Sequence, residues 1–263
     1  MKKLALTFLG LGLSFVLPAQ SFVRHARLSP DGKSLAFSYQ GDIWYWPQQE
    51  GKPYRLTLHE AYDGPLEFNA EGSQIAFNSN RFGNSDIFTL DLNGGYPERK
   101  TYHAAGDNLS DWHPELGILF SSERAYVTVE WDSELHRIDP NNATPKRFMD
   151  ALGTHAVASP DGRYIAFMRG SCRASRENYS GPADQEIWLY DTKDQSYKAL
   201  TDNTVNDIYP QWKDNRTLVF LSAKEGRYNL KELSLEGSEK WLTNFSKEGI
   251  HDFDIAAGKV LYA

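Results

Sequence analysis

Ser29–Phe37 reads SPDGKSLAF, and Ser159–Phe167 reads SPDGRYIAF. Each copy is a turn followed by a strand. Proline presets φ at the first corner, aspartate tolerates the second and glycine accepts a left-handed exit. The short apolar run after it has the character of a buried strand. Two near-identical nonapeptides 130 positions apart suggest a repeat, and a repeat predicts degenerate copies between them.

Those copies are found by aligning the chain on the apolar pair that ends each second strand. The pairs are Ala36-Phe37, Ala76-Phe77, Leu119-Phe120, Ala166-Phe167, Val219-Phe220 and Leu261-Tyr262, with aromatic spacings of 40, 43, 47, 53 and 42 residues. The two SPDG copies are therefore three units apart, at about 43 residues per unit, within the range of four-stranded propeller blades. A turn precedes each pair, as in Ala70-Glu71-Gly72 and Lys213-Asp214-Asn215. An acidic or amide residue follows it and opens an alternating run: Asp42, Asp86, Glu134, Glu186 and Asn229. Several units close on Leu-Thr, at Leu56-Thr57, Leu200-Thr201 and Leu242-Thr243. Four short strands per unit with no sustained helical period predict an all-β fold. The expectation is a β-propeller of four-stranded antiparallel blades, five complete plus a partial sixth. First strands are expected to begin near Ala26, Leu66, Ser110, Ala156, Ile208 and Phe253. Such blades bury their faces by stacking around an axis, a use that suits a chain with 13% aromatic residues.

The N-terminus stands apart. Met1-Lys2-Lys3 is a basic start, Leu4–Val16 is an apolar run, and Ala19 offers a small residue for cleavage before Gln20. Residues 1–19 read as a secretory signal, too short for a comfortable membrane span, with 20–263 as the propeller and a periplasmic or secreted location. A retained anchor is the competing reading; no cysteine follows the apolar run to carry a lipid. The formal net charge is −7, and −9 once Lys2 and Lys3 are removed, which argues against a general nucleic-acid binder. Cys172 is the lone cysteine and cannot form an internal disulfide. No later segment has the apolar length to cross a bilayer.

The repeats resemble the class shared by TolB-like proteins, prolyl-oligopeptidase-type peptidases and tricorn-like proteases. Two stretches narrow this. Arg169–Asp191, RGSCRASRENYSGPADQEIWLYD, resembles the fourth blade of the first propeller of tricorn-like serine peptidases, and Asn206–Trp212, NDIYPQW, resembles the start of its next blade. The resemblance runs from about Phe22 onward and implies the N-terminal propeller of an exported tricorn-like serine peptidase. In that family a second propeller, a PDZ domain and a serine-bearing core follow, and the propellers are thought to filter and channel peptides. With Lys259-Val260-Leu261-Tyr262 as the second strand of a sixth unit, Ala263 falls in mid-blade, and the sequence is expected to be a fragment of a longer protein.

The chemistry-bearing motifs are few. No Gly-x-Ser-x-Gly elbow, His-Glu-x-x-His or cysteine-rich metal spacing occurs, so no catalytic residue, metal or cofactor is assigned. The seven histidines are scattered, and His113, beside Trp112 and Pro114, is read as turn packing. Asp91-Leu92-Asn93-Gly94-Gly95 lacks the rest of a calcium loop and reads as a hairpin turn. The carboxylates at Asp42, Asp86, Glu134 and Glu186 could form a ring, but a local role in fixing each hairpin through backbone amides is favoured. Arg169, Arg173 and Arg176, in a connection that runs from Arg169 to about Gln185, are the candidate contacts for substrate or another domain. Guanidinium forks match carboxylates, and function concentrates on loops over rigid scaffolds. The bland alternative is a solvated loop with internal pairs to Glu177, Asp184 and Glu186. Expected partners are peptides, downstream domains of the same polypeptide, or further copies of the chain. A TolB-like protein-binding propeller without enzymatic activity is the reading from a different class.

Overall fold

The computed structural model describes residues 23–47, 51–125, 132–202 and 204–263. The expected secretory signal lies outside them.

The SPDG turns form through their own side chains. Gly32 N–H donates to the Ser29 carbonyl at 2.7 Å, Ser29 Oγ donates to Asp31 Oδ1 at 2.7 Å, and Ser34 N–H donates back to Ser29 Oγ at 2.9 Å. Ser159, Asp161, Gly162 and Tyr164 repeat this network. Gly32 and Gly162 take φ of 66° and 67°, the left-handed exit that the turn requires. In unit 2 the amide of Asn69 serves both functions, with its Oδ1 accepting from Ser73 and Gln74 N–H.

Each turn launches an antiparallel sheet. Blade 1 comprises β1 (Arg24–Leu28), β2 (Ser34–Tyr39), β3 (Asp42–Pro47) and β4 (Tyr54–Arg55); blade 2 comprises β5 (Asp63–Phe68), β6 (Gln74–Ser79), β7 (Asp86–Asp91) and β8 (Glu98–Arg99). Blade 3 comprises β9 (Asp107–His113), β10 (Gly117–Ser122), β11 (Glu134–Asp139) and β12 (Asn142–Leu152). Blade 4 comprises β13 (Thr154–Ala158), β14 (Tyr164–Arg169), β15 (Glu186–Asp191) and β16 (Ser196–Ala199). Blade 5 comprises β17 (Asp207–Asp214), β18 (Thr217–Lys224), β19 (Arg227–Ser234) and β20 (Glu239–Trp241). Strands within each blade pair in sequence order. A two-stranded sheet of β21 (Phe253–Ala256) and β22 (Lys259–Tyr262) follows. No helix occurs among the described residues.

The first strands meet in a ring: β1 beside β5, then β9, β13, β17 and β21, which returns to β1. The aromatic member of each landmark pair faces the preceding blade and the small member faces the following one. Phe77 therefore shares a core with Ala36, Phe120 with Ala76, Phe167 with Leu119 and Phe220 with Ala166. Phe77, Phe120, Phe167 and Phe220 are fully buried. Phe37 is half-buried and faces an apolar groove that it lines with Trp46, Leu261 and Tyr262.

Five of the six first strands begin one to three residues earlier than expected from the sequence, at Arg24, Asp63, Asp107, Thr154 and Asp207; β21 begins at Phe253 as expected. The first strands of blades 1 to 5 each contain a β-bulge. The extra residue breaks the alternation, so the pattern is readable only beyond it.

The Leu-Thr endings, and Thr101 at the corresponding place in blade 2, also have a role. Thr57, Thr101, Thr201 and Thr243 each accept, through Oγ1, a hydrogen bond from a third-strand N–H: those of Ile43, Ile87, Ile187 and Leu230, at 2.9–3.0 Å. This closes each blade where the fourth strand is short.

Candidate functional site

The bore of the ring is built from one position per unit. The residues paired with Ala36, Ala76, Leu119, Ala166, Val219 and Leu261 are Arg27, Glu67, Asp111, Val157, Gln211 and Asp254. Their side chains tie neighbouring blades together. Arg27 Nε donates to Glu67 Oε1 at 2.8 Å and its Nη1 to Asp252 Oδ1 at 3.2 Å. Asp254 accepts from Leu28 N–H at 2.6 Å, Asp111 from Ala158 N–H at 2.8 Å, and Gln211 from Ile255 N–H at 3.0 Å. Burial pushes the Glu67, Asp111 and Asp254 carboxyls upward, with Arg27 opposing the shift at Glu67 and Asp254.

Arg27, Glu67 and Gln211 of this ring also line a channel of ≈ 750 Å³, together with bulge residues that include His25, His155 and Tyr209, and with Leu109 and Asp252. The blade-4 insertion, expected over Gly170–Gln185, reaches it: Ala174 and Gln185 line the same channel. The insertion joins β14 to β15, and the SPDG turns join first to second strands, so the two lie at opposite ends of the blade. Asn206 anchors it, donating through Nδ2 to the Arg176 carbonyl at 3.0 Å and accepting from Gln185 N–H through Oδ1 at 2.9 Å. Cys172 is buried beneath, its backbone bonded to Ala183 and to the Gln185 side chain.

The structure does not bring the three arginines together. Arg169 lies 4.9 Å over the Trp188 ring, beside an outer cavity of ≈ 330 Å³. Arg176 lies 4.5 Å over Tyr179, in a cleft of ≈ 710 Å³ shared with Glu177, Arg227, Lys247 and His251. Arg173 is exposed, and its carbonyl accepts from Arg176 N–H. None of the three forms an ion pair among the described residues. Glu177 is 3.4 Å from Arg227 Nη1 and 3.8 Å from His251, Glu186 accepts from the Trp188 indole at 2.9 Å, and both carboxylate oxygens of Asp184 are buried without a partner. The internal pairing considered for these arginines is therefore replaced by ring stacking for two of them.

The carboxylates opening the third strands are local anchors, but mostly not to hairpin amides. Asp42 accepts from Arg55 and from His59 N–H, and Asp86 accepts from Arg99 at 2.7 Å; these tie the third strand to the fourth and the connection beyond. Glu134 does take a hairpin amide, that of Ala125, and also pairs with His136 at 2.9 Å. His113 caps its turn, with Nδ1 accepting from Glu115 and Leu116 N–H. The Asp91 turn is a hairpin turn, with Gly94 N–H bonded to the Asp91 carbonyl at 3.0 Å. Among the described residues no three His, Cys, Asp or Glu side chains converge as metal ligands, and no helix is long and apolar enough to cross a membrane.

The sequence profile of the tricorn protease N-terminal β-propeller domain matches residues 20–263. A tricorn protease homolog of Streptomyces coelicolor is 24% identical over 220 residues, covering 80% of this chain and 20% of the relative. The crystal structure of the tricorn protease superposes with a TM-score of 0.74 at 17% identity, covering 92% of this chain and 24% of that one. The structure of a putative TolB from Agrobacterium tumefaciens gives 0.68 at 20% identity, covering 85% and 81%. The chain thus spans about a fifth to a quarter of the tricorn-type proteins it matches.

Proposed function

Because the chain belongs to the family of tricorn protease N-terminal β-propeller domains, we propose that it is the leading propeller of an exported tricorn-like serine peptidase. In this reading it does no chemistry itself and filters or channels peptides to a catalytic core on other segments. The observation that carries the proposal is the family match across the whole ring, joined to a channel whose mouth is rimmed by the blade-4 insertion. The sheet of β21 and β22 is the inner half of a sixth four-stranded blade, its position in the repeat being that of a first and second strand. Residues 1–19 direct export and are removed, and sequencing the exported protein should return Gln20 at its N-terminus. Arg169, Arg173 and Arg176 contact peptide or a downstream domain.

The experiment compares peptide hydrolysis by residues 20–263 with that by the full-length protein. The reading expects none from the first and robust turnover from the second; turnover by residues 20–263 alone would overturn it. The TolB-like alternative draws on the match to 81% of a putative TolB. It expects a stable complex with a protein partner and no hydrolysis from either polypeptide.

A further inference from the structure

Among the described residues, seven non-glycine residues have positive φ. Gln40, Glu225 and Ala257 each precede a glycine in a two-residue hairpin turn, where both positions demand it. Gln195 sits in the turn between β15 and β16. The other three, His25, His155 and Tyr209, are inside strands, at φ of 52°, 50° and 55°. They occupy the same position of the same bulge in β1, β13 and β17, two residues before Arg27, Val157 and Gln211. The bulge does not require an aromatic ring or a left-handed backbone there, because β5 and β9 have Pro65 and Leu109 at that position, neither at positive φ. Ring-bearing residues held in a left-handed backbone are costly, and such strain gathers where the side chain has a task.

We propose that His25, His155 and Tyr209 form a patch on the channel wall that binds the backbone of an extended polypeptide, without regard to the charge of its side chains. This rests on the peptide-channelling reading above. All three side chains line the channel, and the His155 and Tyr209 rings meet edge to face at 5.2 Å. His155 Nε2 is buried there without a partner. Burial holds the His25 imidazole below its usual range, against the pull of Asp252, and drives that of His155 to about 3. Burial also raises the Tyr209 phenol. The three groups therefore stay uncharged around neutral pH. A neutral imidazole and a phenol each offer one donor and one acceptor, as a peptide group does. Of the fixed charges nearby, Arg27 holds Glu67 and Asp252, while Arg24 is exposed on the channel wall outside that network.

The test is fluorescence anisotropy of a labelled, extended peptide of Gly, Ser, Ala and Gln binding to the chain. His155→Gly, which suits the left-handed backbone, should leave the unfolding midpoint unchanged or raise it, and should weaken binding at least about fivefold. His155→Asn tolerates the same backbone and keeps a donor and an acceptor, so it should stay within about twofold of wild type. Replacing Gln by Lys or by Glu in the peptide should change affinity less than about threefold. Glycine variants at all three positions that bind like wild type would overturn the role of this patch while leaving the channel reading intact. So would a preference of more than about tenfold for one sign of charge. If His155→Gly lowers both midpoint and binding, His155→Asn decides: retained binding supports the proposal, and lost binding refutes it. A wild-type chain that binds no peptide overturns the channel reading and this proposal together.

Discussion

Asp207 begins β17 as Asp63 and Asp107 begin β5 and β9, but it lacks their partner. Arg81 grips both oxygens of Asp63 at 2.9 and 3.0 Å, and Arg124 grips those of Asp107 at 2.8 and 2.7 Å. Two residues beyond Ser222, where these arginines stand beyond Ser79 and Ser122, blade 5 has Lys224. Its ammonium goes instead to Asn244 at 2.8 Å and to the Trp241 ring. Asp207 Oδ1 is left buried without a partner, and burial, opposed by Ser222 and Lys231, pushes the carboxyl up to about 7. A carboxyl raised in the fold contributes stability that is full below its unfolded value of 3.8 and is lost as pH rises through about 7. Asp207→Asn should therefore stabilise the protein at pH 8 by roughly 1–2 kcal/mol and flatten the fall between pH 4 and 7, read by urea unfolding across pH. Lys224→Arg should do the same by lowering the Asp207 carboxyl. His155 acts in the opposite direction, its depressed imidazole withdrawing stability as pH falls from 6.5 towards about 3. A variant at Asp207 that leaves the alkaline limb unchanged would show that its carboxyl is satisfied in solution.

At the scale of the element, the landmark pair is what makes a blade stack. Phe120→Ala removes a fully buried ring from the interface with blade 2 and should cost about 3–5 kcal/mol with little change in denaturant slope. Phe37→Ala, in the half-open groove, should cost clearly less; equal losses would mean that the groove is filled in solution. The same pair explains what could be read from sequence. The landmark pairs recur every 40–53 residues, each after a turn, and these local signals located the five complete blades. The bulges carry no such signal, since one extra residue merely breaks a period of two. His25 and His155 therefore fell just before the expected strand starts, and Tyr209 passed as an ordinary strand residue. The position before the bulged strand's last turn was readable in principle: aligned on the landmarks, Arg27, Glu67, Asp111 and Asp254 form a charged column in strands that should be apolar. The arginines of the insertion were visible as composition, but their separation into different cavities depends on the Asn206 and Cys172 anchors, which no short motif announces. Arg173→Ala with Arg176→Ala, made in the full-length protein, should leave the unfolding midpoint within about 2 °C and weaken peptide processing or domain docking, because neither side chain forms an ion pair among the described residues. Wild-type kinetics and an unchanged domain arrangement in solution scattering would reduce the insertion to a solvated loop.

The whole molecule is a ring whose sixth position is held by two strands. Trp46 and Tyr262 are exposed and line the groove between β22 and blade 1. A longer polypeptide that supplies a third and fourth strand here should unfold at a higher temperature and aggregate less, because it pairs the β22 edge and covers the groove. Equal stability of the two would contradict the sixth-blade assignment. The central claim is that peptides reach the active site of the parent peptidase through this ring, and blocking the channel tests it most directly. Asn108 is exposed and lines the mouth. Asn108→Cys in a Cys172→Ser background, made in the full-length protein and labelled with a bulky maleimide, should lower turnover of long peptides at least about tenfold. Cleavage of a small chromogenic substrate should be unaffected. Undiminished turnover of long peptides by the fully labelled protein would contradict the claim.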